Sequence, residues 1–172
     1  MADYVIQRGD TLEATTLKGV VSYDPATGLF TRLVALSPRS RIGDVLDRRR
    51  PSGYVEFGVL GRTYEAHRLA WLYVYGEWPA AMLDHIDGDR ANNRITNLRL
   101  CNMSQNIANS KRSKNNTSGS KGVSFNKQKG RYHAYIGKSP RRHLGYFESL
   151  EDASVAYMAA ATEMYGEFAR GA

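Results

Sequence analysis

The fold of this chain is decided by the stretch Leu83-Asp84-His85-Ile86-Asp87-Gly88-Asp89, which is followed by Asn92-Asn93-Arg94-Ile95-Thr96-Asn97-Leu98-Arg99 and by Gln105-Asn106. An Asn stands twelve residues after the His of the Asp-His pair, and a further polar residue stands nine positions later. Such a set can supply a metal ligand, a base and a second ligand to one phosphate. The pattern therefore favours hydrolysis of a phosphodiester.

The residue types fit that chemistry. A neutral imidazole such as that of His85 can deprotonate water, because its ordinary pKa lies close to neutral pH. A leaving 3′ oxygen is stabilised by a hard divalent cation, for which the Asp84 carboxylate and the Asn106 amide are candidate ligands. Neighbouring residues on a strand point to opposite faces, so Asp84 and His85 reach one phosphate only if the backbone bends or the ligands approach from an edge, and the turn 87–89 provides such a bend.

Other polar residues of the stretch have simpler interpretations. Asp87 and Asp89 flank a glycine and are expected to shape the loop, although Asp87 could approach a metal through water. Asn92 and Asn93 are expected to form a turn. Asn102 begins an Asn-x-x-Gln pattern, which predicts the N-cap of a short helix.

The same motifs resemble the HNH homing-endonuclease family. The residues that carry the resemblance are His67-Arg68-Leu69, Asp84–Asp89, Asn92-Asn93, Asn97-Leu98-Arg99 and Ser104-Gln105-Asn106. The resemblance implies a core of two short strands and a helix around one metal ion.

The resemblance also assigns roles. It implies that His85 is the general base, that Asp84 and Asn106 are metal ligands, and that Asn97 pins the loop and so orients the base. Many members carry a His where this chain has Asn106, so the match is to the His-Asn-Asn variant. An amide oxygen favours Mg²⁺, Mn²⁺ or Ca²⁺ over Zn²⁺, and Mg²⁺ or Mn²⁺ is the expected metal.

Charge is distributed unevenly along the 172 residues, whose net charge is +7. No Asp or Glu occurs from Arg90 to Phe147, a span with thirteen Lys and Arg, which leaves eleven basic residues against all seventeen acidic ones elsewhere. A field so local fits double-stranded DNA, because neutralising phosphates releases counterions. A merely solvated basic surface is the alternative.

Cysteine usage and hydropathy bound the setting. The single Cys101 excludes a disulfide framework and a Cys-x-x-Cys zinc site. Residues 1–20 hold charged residues and no apolar core segment, so no secretory signal is expected, and no stretch approaches a membrane span. We expect a cytoplasmic protein, in the host cytoplasm if it is phage-encoded, with no membrane partner, and we favour a monomer.

The N-terminal part is predicted to contain antiparallel strands. From Leu17 to about Tyr64, short β patterns alternate with turn signals, notably at 24–28 and at 60–62, and could form a twisted sheet that covers the core or enters a DNA groove. The arginine-rich loop 39–50 either touches the DNA backbone or is solvated. The apolar run 65–73 is helix-like, and its His67 is expected to be a satisfied core or supporting residue rather than a ligand.

The C-terminal part is predicted to be a small module behind a basic linker. Residues 109–120 lack apolar side chains and would form an extended arm along phosphates. Three strands follow at 121–126, 131–137 and 142–147. A helix then begins at Ser149, which could form a capping box with Asp152, and Gly166 can close it.

This module resembles the DNA-binding domain of the plant Apetala-two/ethylene-response-factor family, through the motifs around 118–123, 131–136, 143–147 and 156–168. The resemblance implies a sheet in the DNA major groove, which accommodates a β-ribbon. Ser124 and Phe125 stand where plant members often have Arg and Trp, so base specificity cannot be transferred. The expected DNA contacts of the whole chain are Arg99, Lys111, Arg112, Lys114, Ser124, Asn126, Lys129, Arg131, His133, Tyr135 and Arg142.

Together these patterns predict an α+β chain with a ββα-metal nuclease core, N-terminal antiparallel strands, and a C-terminal three-stranded sheet packed on one helix. The predicted domains are a nuclease domain at 1–110, a basic linker at 111–120 and a DNA-binding domain at 121–172. The predicted function is site-selective DNA cleavage, of phage or mobile-element homing type. A catalytically inactive DNA-binding regulator is the alternative, and an RNA-binding module is disfavoured because no RNA-type aromatic motif is present.

Overall fold

The computed structural model describes residues 12–113, 115–137 and 140–171. The chain divides into two compact units, Met1–Cys101 and Asn102–Ala172. Small antiparallel sheets and four α-helices make up the described part, which confirms the predicted α+β class. Within it, no helix is both long and apolar enough to cross a bilayer.

The N-terminal unit begins with a helix and a hairpin. Helix α1 (Ala14–Val20) buries Leu17 and Val20. Strands β1 (Val21–Asp24) and β2 (Leu29–Arg32) pair antiparallel around a turn at 25–28, as predicted. The expected β pattern from Leu17 is wrong as far as Val20, because these two apolar residues lie three apart and share the buried face of a helix.

A second hairpin and a helix complete the core of this unit. Strands β3 (Glu56–Val59) and β4 (Arg62–Glu65) join through a two-residue turn, in which Leu60 has φ 49° and Gly61 has φ 82°. Both positive values match the twist of a tight hairpin. Helix α2 (Ala66–Tyr75) follows and ends at a left-handed Gly76. The N-terminal strands form separate two-stranded sheets rather than one twisted sheet.

A third hairpin carries the Asp-His pair. Strands β5 (Met82–His85) and β6 (Leu98–Cys101) are antiparallel, with Asp84 opposite Arg99 and His85 opposite Leu98. Leu83 and Leu98 are buried, and Leu98 joins the main core of the unit. The polar loop 86–97 therefore connects two strands whose ends are fixed by packing.

The C-terminal unit is a helix followed by a sheet-and-helix module. Helix α3 (Met103–Asn109) begins at the predicted cap, where Asn102 and Gln105 form both bonds of a capping box. Strands β7 (Val123–Asn126), β8 (Arg131–Ile136) and β9 (Arg142–Phe147) form an antiparallel sheet in that order, close to the predicted positions.

Helix α4 (Leu150–Tyr165) covers one face of this sheet. Ser149 caps its first turn by accepting the backbone N–H of Asp152, and Gly166 ends the helix, as predicted; the predicted capping box is incomplete, because the Asp152 carboxylate accepts from the Ser149 hydroxyl and not from its backbone N–H. Ala153, Ala160 and Ala161 are buried against the sheet. Their small side chains allow a close approach of helix and strands.

The predicted linker is partly folded. Asn116 donates from Nδ2 to the carbonyl of Ser120 at 2.9 Å, and the Ser118 hydroxyl donates to the carbonyl of Val123 at 2.7 Å. Ser120 is itself buried and accepts from the Ser154 hydroxyl of α4 at 2.7 Å. By contacts, α3 and residues 115–120 belong with the C-terminal module. The division into functional domains at 110 and 120 stays a prediction.

Candidate functional site

Asp84 and His85 lie at the end of β5 and are both buried, with 6% and 4% of their surface exposed. Arg99, on the paired strand, donates from Nε and Nη2 to Asp84 Oδ2 at 3.1 and 3.0 Å. Both side chains of this ion pair are largely desolvated. Arg99, which was expected to bind DNA, therefore contacts the carboxylate predicted to hold the metal.

The imidazole of His85 is oriented by Asn93. Its Nε2 lies 3.3 Å from Asn93 Oδ1, while Asn93 Nδ2 donates to the carbonyl of Ala91 at 3.2 Å. That second bond fixes which end of the amide faces the imidazole. Because Oδ1 can only accept, this hydrogen-bond network assigns the proton of the neutral imidazole to Nε2 and leaves Nδ1 as its basic nitrogen.

Burial lowers the pKa of His85, and the hydrogen bond to Asn93 and the carboxylates of Asp87, Asp84 and Asp89 oppose the shift. The net direction is downward. The imidazole is therefore neutral at neutral pH, which is the state that a general base requires.

Asn97 holds the loop, as the resemblance implied, but it does so through Asp87. Its Oδ1 accepts the backbone N–H of Asp87 at 3.1 Å, and its Nδ2 donates to Asp87 Oδ1 at 3.0 Å and to the carbonyl of Asn92 at 2.8 Å. Burial raises the pKa of Asp87, but the bonds from Asn92, Asp89 and Asn97 outweigh it and lower that pKa overall. The catalytic role of Asn97 stays a prediction.

A second histidine packs against the first. The rings of His67 and His85 are 5.2 Å apart and nearly perpendicular, and Tyr54 lies within 6 Å of both. Burial lowers the pKa of His67 to about 3. Nε2 of His67 is 3.5 Å from Glu65, but its buried Nδ1 has no hydrogen-bond partner among the described residues. His67 therefore supports the site, as predicted, but it is not a fully satisfied core histidine.

The hairpin of β1 and β2 supports the backbone at Asn93 through hydrogen bonds, a role that the sequence did not reveal. The Tyr23 hydroxyl donates to the carbonyl of Asn93 at 2.8 Å, and Arg94 Nε donates to the carbonyl of Ala26 at 2.6 Å. Gly28 has φ 77°, and a Cβ there would lie 2.5 Å from the backbone N of Arg94. The glycine in the predicted turn was the available signal, but only the fold shows what it approaches.

Asn106 lies on α3, in the C-terminal unit. Its role as a metal ligand stays a prediction. In the residues that the structure describes, no group of three or more His, Cys, Asp or Glu is arranged to hold a metal ion.

The expected DNA contacts in the basic segment are accessible where described. Lys111 and Arg112 are exposed, and Arg112 donates to the carbonyl of Asn116 at 3.1 Å. Lys114 lies outside the described residues.

Two of the expected contacts on the C-terminal sheet, His133 and Tyr135, lie together in a cluster of rings on its outer face. His133 and Tyr135 form, with His143 and Tyr146, a ring cluster around a hollow of about 350 Å³ that Arg141 also lines. Lys129 lies over Tyr146 at 4.0 Å and Arg141 over Tyr135 at 4.5 Å. His143, Tyr146 and Arg141 were not among the predicted contacts, and the bulge between Ala134 and Tyr135 is what brings His143 opposite Tyr135.

The remaining expected contacts lie elsewhere on the sheet. Ser124 lies opposite His133, and Asn126 accepts the backbone N–H of Lys129 at 3.0 Å. Arg131 and Arg142 form exposed ion pairs with Glu148 and Glu163.

A known protein family matches the segment that holds this site. The family described as HNH endonuclease matches residues 64–108, a range that holds the Asp-His pair, Asn93 and Asn97. The match ends before β7 and gives no support to the Apetala-two resemblance of the module. No solved structure matches the chain significantly.

The chain is also similar to Protein 3.8 of Escherichia phage T7. The two are 31% identical over 105 residues, which are 60% of this chain and 87% of that protein. The chain therefore belongs to the same family as Protein 3.8 of phage T7 and carries an HNH endonuclease domain over residues 64–108.

Proposed function

We propose that this protein is a metal-dependent DNA endonuclease of phage or mobile-element homing type, in which His85 is the general base. The observation that carries the proposal is the buried, neutral imidazole of His85, whose tautomer Asn93 fixes beside the buried Asp84 carboxylate. The HNH family match over 64–108 contains this arrangement.

His85 would activate water. Nδ1 takes a proton from a water molecule as its oxygen attacks the phosphorus, and the bond from phosphorus to the 3′ oxygen breaks. Nε2 keeps its proton and its hydrogen bond to Asn93 throughout. Because that bond is already formed, it stabilises the imidazolium without a change in the orientation of the ring. Asn97 would contribute by keeping the loop 87–92 closed.

Asp84 and Asn106 would hold the metal, on the resemblance of their motifs. Both side chains offer oxygen atoms as ligands, and oxygen is the ligand atom that Mg²⁺ and Mn²⁺ prefer. A divalent ion bound there would neutralise charge on the phosphate and stabilise the leaving oxygen. A metal that took Asp84 Oδ2 would displace Arg99, which would then be available to a phosphate.

The C-terminal sheet would bind the DNA duplex. Lys129 and Arg141 flank the ring cluster on its outer face, and Ser124, Asn126 and His133 add hydrogen-bonding groups. Phosphate contacts from the basic groups would fix the register, and the polar groups would meet base edges.

Incubation of the full chain with supercoiled plasmid, with Mg²⁺, Mn²⁺ or EDTA, tests the proposal. We expect metal-dependent conversion to open-circular DNA, because a monomer with one site cuts one strand. Asp84→Ala should lose cleavage and recover part of it at raised Mn²⁺. No cleavage with either metal by a folded, DNA-binding protein would refute the proposal.

A second candidate function is DNA binding without cleavage. The ion pair between Arg99 and Asp84 favours it, since a carboxylate that keeps this partner is a poor metal ligand. The plasmid assay separates the two functions, because only the first predicts dependence on metal and on His85.

A further inference from the structure

The C-terminal end of helix α3 is held by a lysine of the sheet-and-helix module. Lys121 donates from Nζ to the carbonyl of Ile107 at 3.0 Å, to that of Ser110 at 2.7 Å, and to that of Ala108. The last carbonyls of a helix have no partner within the helix. Lys121 therefore adds a donor to three carbonyls at the end where a positive charge also stabilises the helix dipole, and that of Ile107 also accepts from the backbone N–H and the hydroxyl of Ser110 at 3.2 and 2.6 Å.

A helix as short as α3 needs such support. Its seven residues are fewer than an isolated helix requires for stability in water. The capping box of Asn102 and Gln105 fixes its first turn, and Lys121 fixes its last. Ala108 and Asn109 are buried.

Lys121 is itself fixed on the module. Gly122 follows it with φ 69°, and a Cβ there would lie 2.2 Å from the Tyr157 ring and 2.8 Å from the carbonyl of Tyr135. Ser120, which precedes it, is bonded to Ser154 of α4. The backbone at 120–122 is thus held against both α4 and β8.

The ammonium group of Lys121 is engaged in these hydrogen bonds within the protein. Burial and the nearby Arg170 lower the pKa of Lys121 to about 8, so it keeps its three N–H donors at neutral pH and matches them to three carbonyls. A lysine that neutralises phosphates would instead keep its ammonium in solvent.

We propose that Lys121 is a positioning residue, which fixes α3 on the C-terminal module and thereby fixes Asn106. The inference rests on the proposed function, because Asn106 matters only if it holds the metal. It gives the module a part in cleavage besides DNA binding. A fragment that ends near residue 114 would then keep the catalytic residues but lose the support of α3.

The test compares Lys121→Met with Lys127→Met in the full chain. Both remove one positive charge, but Lys127 lies in the exposed turn between β7 and β8. In Lys121→Met we expect amide exchange at 106–110 to be faster by about tenfold or more, kcat to fall by about tenfold with KM little changed, and Mn²⁺ affinity to weaken. Lys127→Met should leave all three as in the unmodified chain.

Salt dependence separates positioning from phosphate binding. Lys121→Met should keep the slope of log affinity against log salt, whereas loss of a phosphate contact would flatten it by about 0.9. Lys121→Arg keeps a positive side chain with several N–H donors, so it should restore much of kcat. The same measurements are made on this variant if Lys121→Met does not fold. Unchanged exchange at 106–110, or a flattened slope, would overturn the proposal.

One combination of results would contradict the metal-ligand role of Asn106 and leave the contact of Lys121 with α3 in place. Faster exchange at 106–110 with normal cleavage and normal Mn²⁺ affinity would show that Lys121 holds α3 but that Asn106 is not a ligand. That result would overturn the metal-site assignment within the proposed function, and with it the catalytic consequence inferred for Lys121.

Discussion

The loop 85–97 and the outer face of the C-terminal sheet use the same residue types in opposite ways. In the loop, His85, Asn93 and Asn97 are at most 9% exposed. Their side chains form hydrogen bonds within the same segment, such as that between His85 and Asn93 and that from Asn97 to the carbonyl of Asn92. On the sheet, His133 and Tyr135 are partly exposed and contact rings and cations rather than fixed acceptors.

The difference fits the function proposed for each region. Chemistry needs one tautomer and one orientation, and burial with complete hydrogen bonding supplies both. Binding a long polyanion needs accessible cations and tolerates several geometries. Each prediction below tests one side of this comparison.

His85→Ala should have the largest effect. Cleavage should fall by about 10²-fold or more, because the variant has no group to accept the proton of the attacking water. DNA affinity should stay nearly constant, since binding is assigned to the other region. Plasmid nicking and fluorescence anisotropy measure the two quantities, and full nicking activity would remove His85 from the mechanism.

Asn93→Ala should lower cleavage by about 10- to 100-fold, the usual scale for a residue that orients a reacting group. The imidazole loses the acceptor of its Nε2 proton and can adopt the other tautomer. Asn92→Ala is the matched control, because Asn92 lies in the same loop and binds Asp87 rather than His85. Equal losses in both variants would mean that Asn93 only holds the loop.

Gly28→Ala should destabilise the N-terminal unit by about 2 kcal/mol or more, and cleavage should fall with it. The substitution strains a positive φ and presses a Cβ into the backbone of Asn93 and Arg94. Gly43→Ala carries similar φ strain with nothing within 4 Å of the added atom, so it should cost less. Urea unfolding of both variants gives the comparison, and equal costs would show that the packing on Asn93 contributes little.

DNA affinity should rise several-fold as pH falls from 7.5 to 5.5. Partial burial, His143, Lys129 and Arg141 lower the pKa of His133 in the free protein, and a bound phosphate would favour the imidazolium. Binding therefore takes up a proton, and affinity increases below the pKa of the complex. Anisotropy at constant ionic strength checks this, with His133→Gln expected to flatten the profile. An unchanged profile in that variant would exclude His133 as its cause.

Glu163→Gln should have the smallest effect. The exposed ion pair with Arg142 contributes no more than about 0.5 kcal/mol to folding, so thermal unfolding should barely change. If Arg142 contacts phosphate, its release should raise DNA affinity slightly and steepen the salt slope. A drop in affinity would mean that the pair itself is needed at the interface.

Much of the local structure could be predicted from the sequence. The hairpin turns at 25–28 and 60–61, the caps at Asn102 and Ser149 and the three C-terminal strands all depend on short-range chemistry. Helix α1 was missed because a short amphipathic segment with β-branched residues satisfies both periodicities.

The candidate site was also predicted from the sequence, since the spacing of Asp84, His85, Asn97 and Asn106 carries the family resemblance by itself. What only the tertiary structure decided is which partner each polar group takes. Asn93 meets His85, Arg99 meets Asp84, and Lys121 meets the end of α3 rather than solvent. These pairings join residues 8 to 15 positions apart, and their choice depends on how hairpins and helices pack. Burial then makes an unpaired polar group costly, so packing selects partners that local patterns leave open.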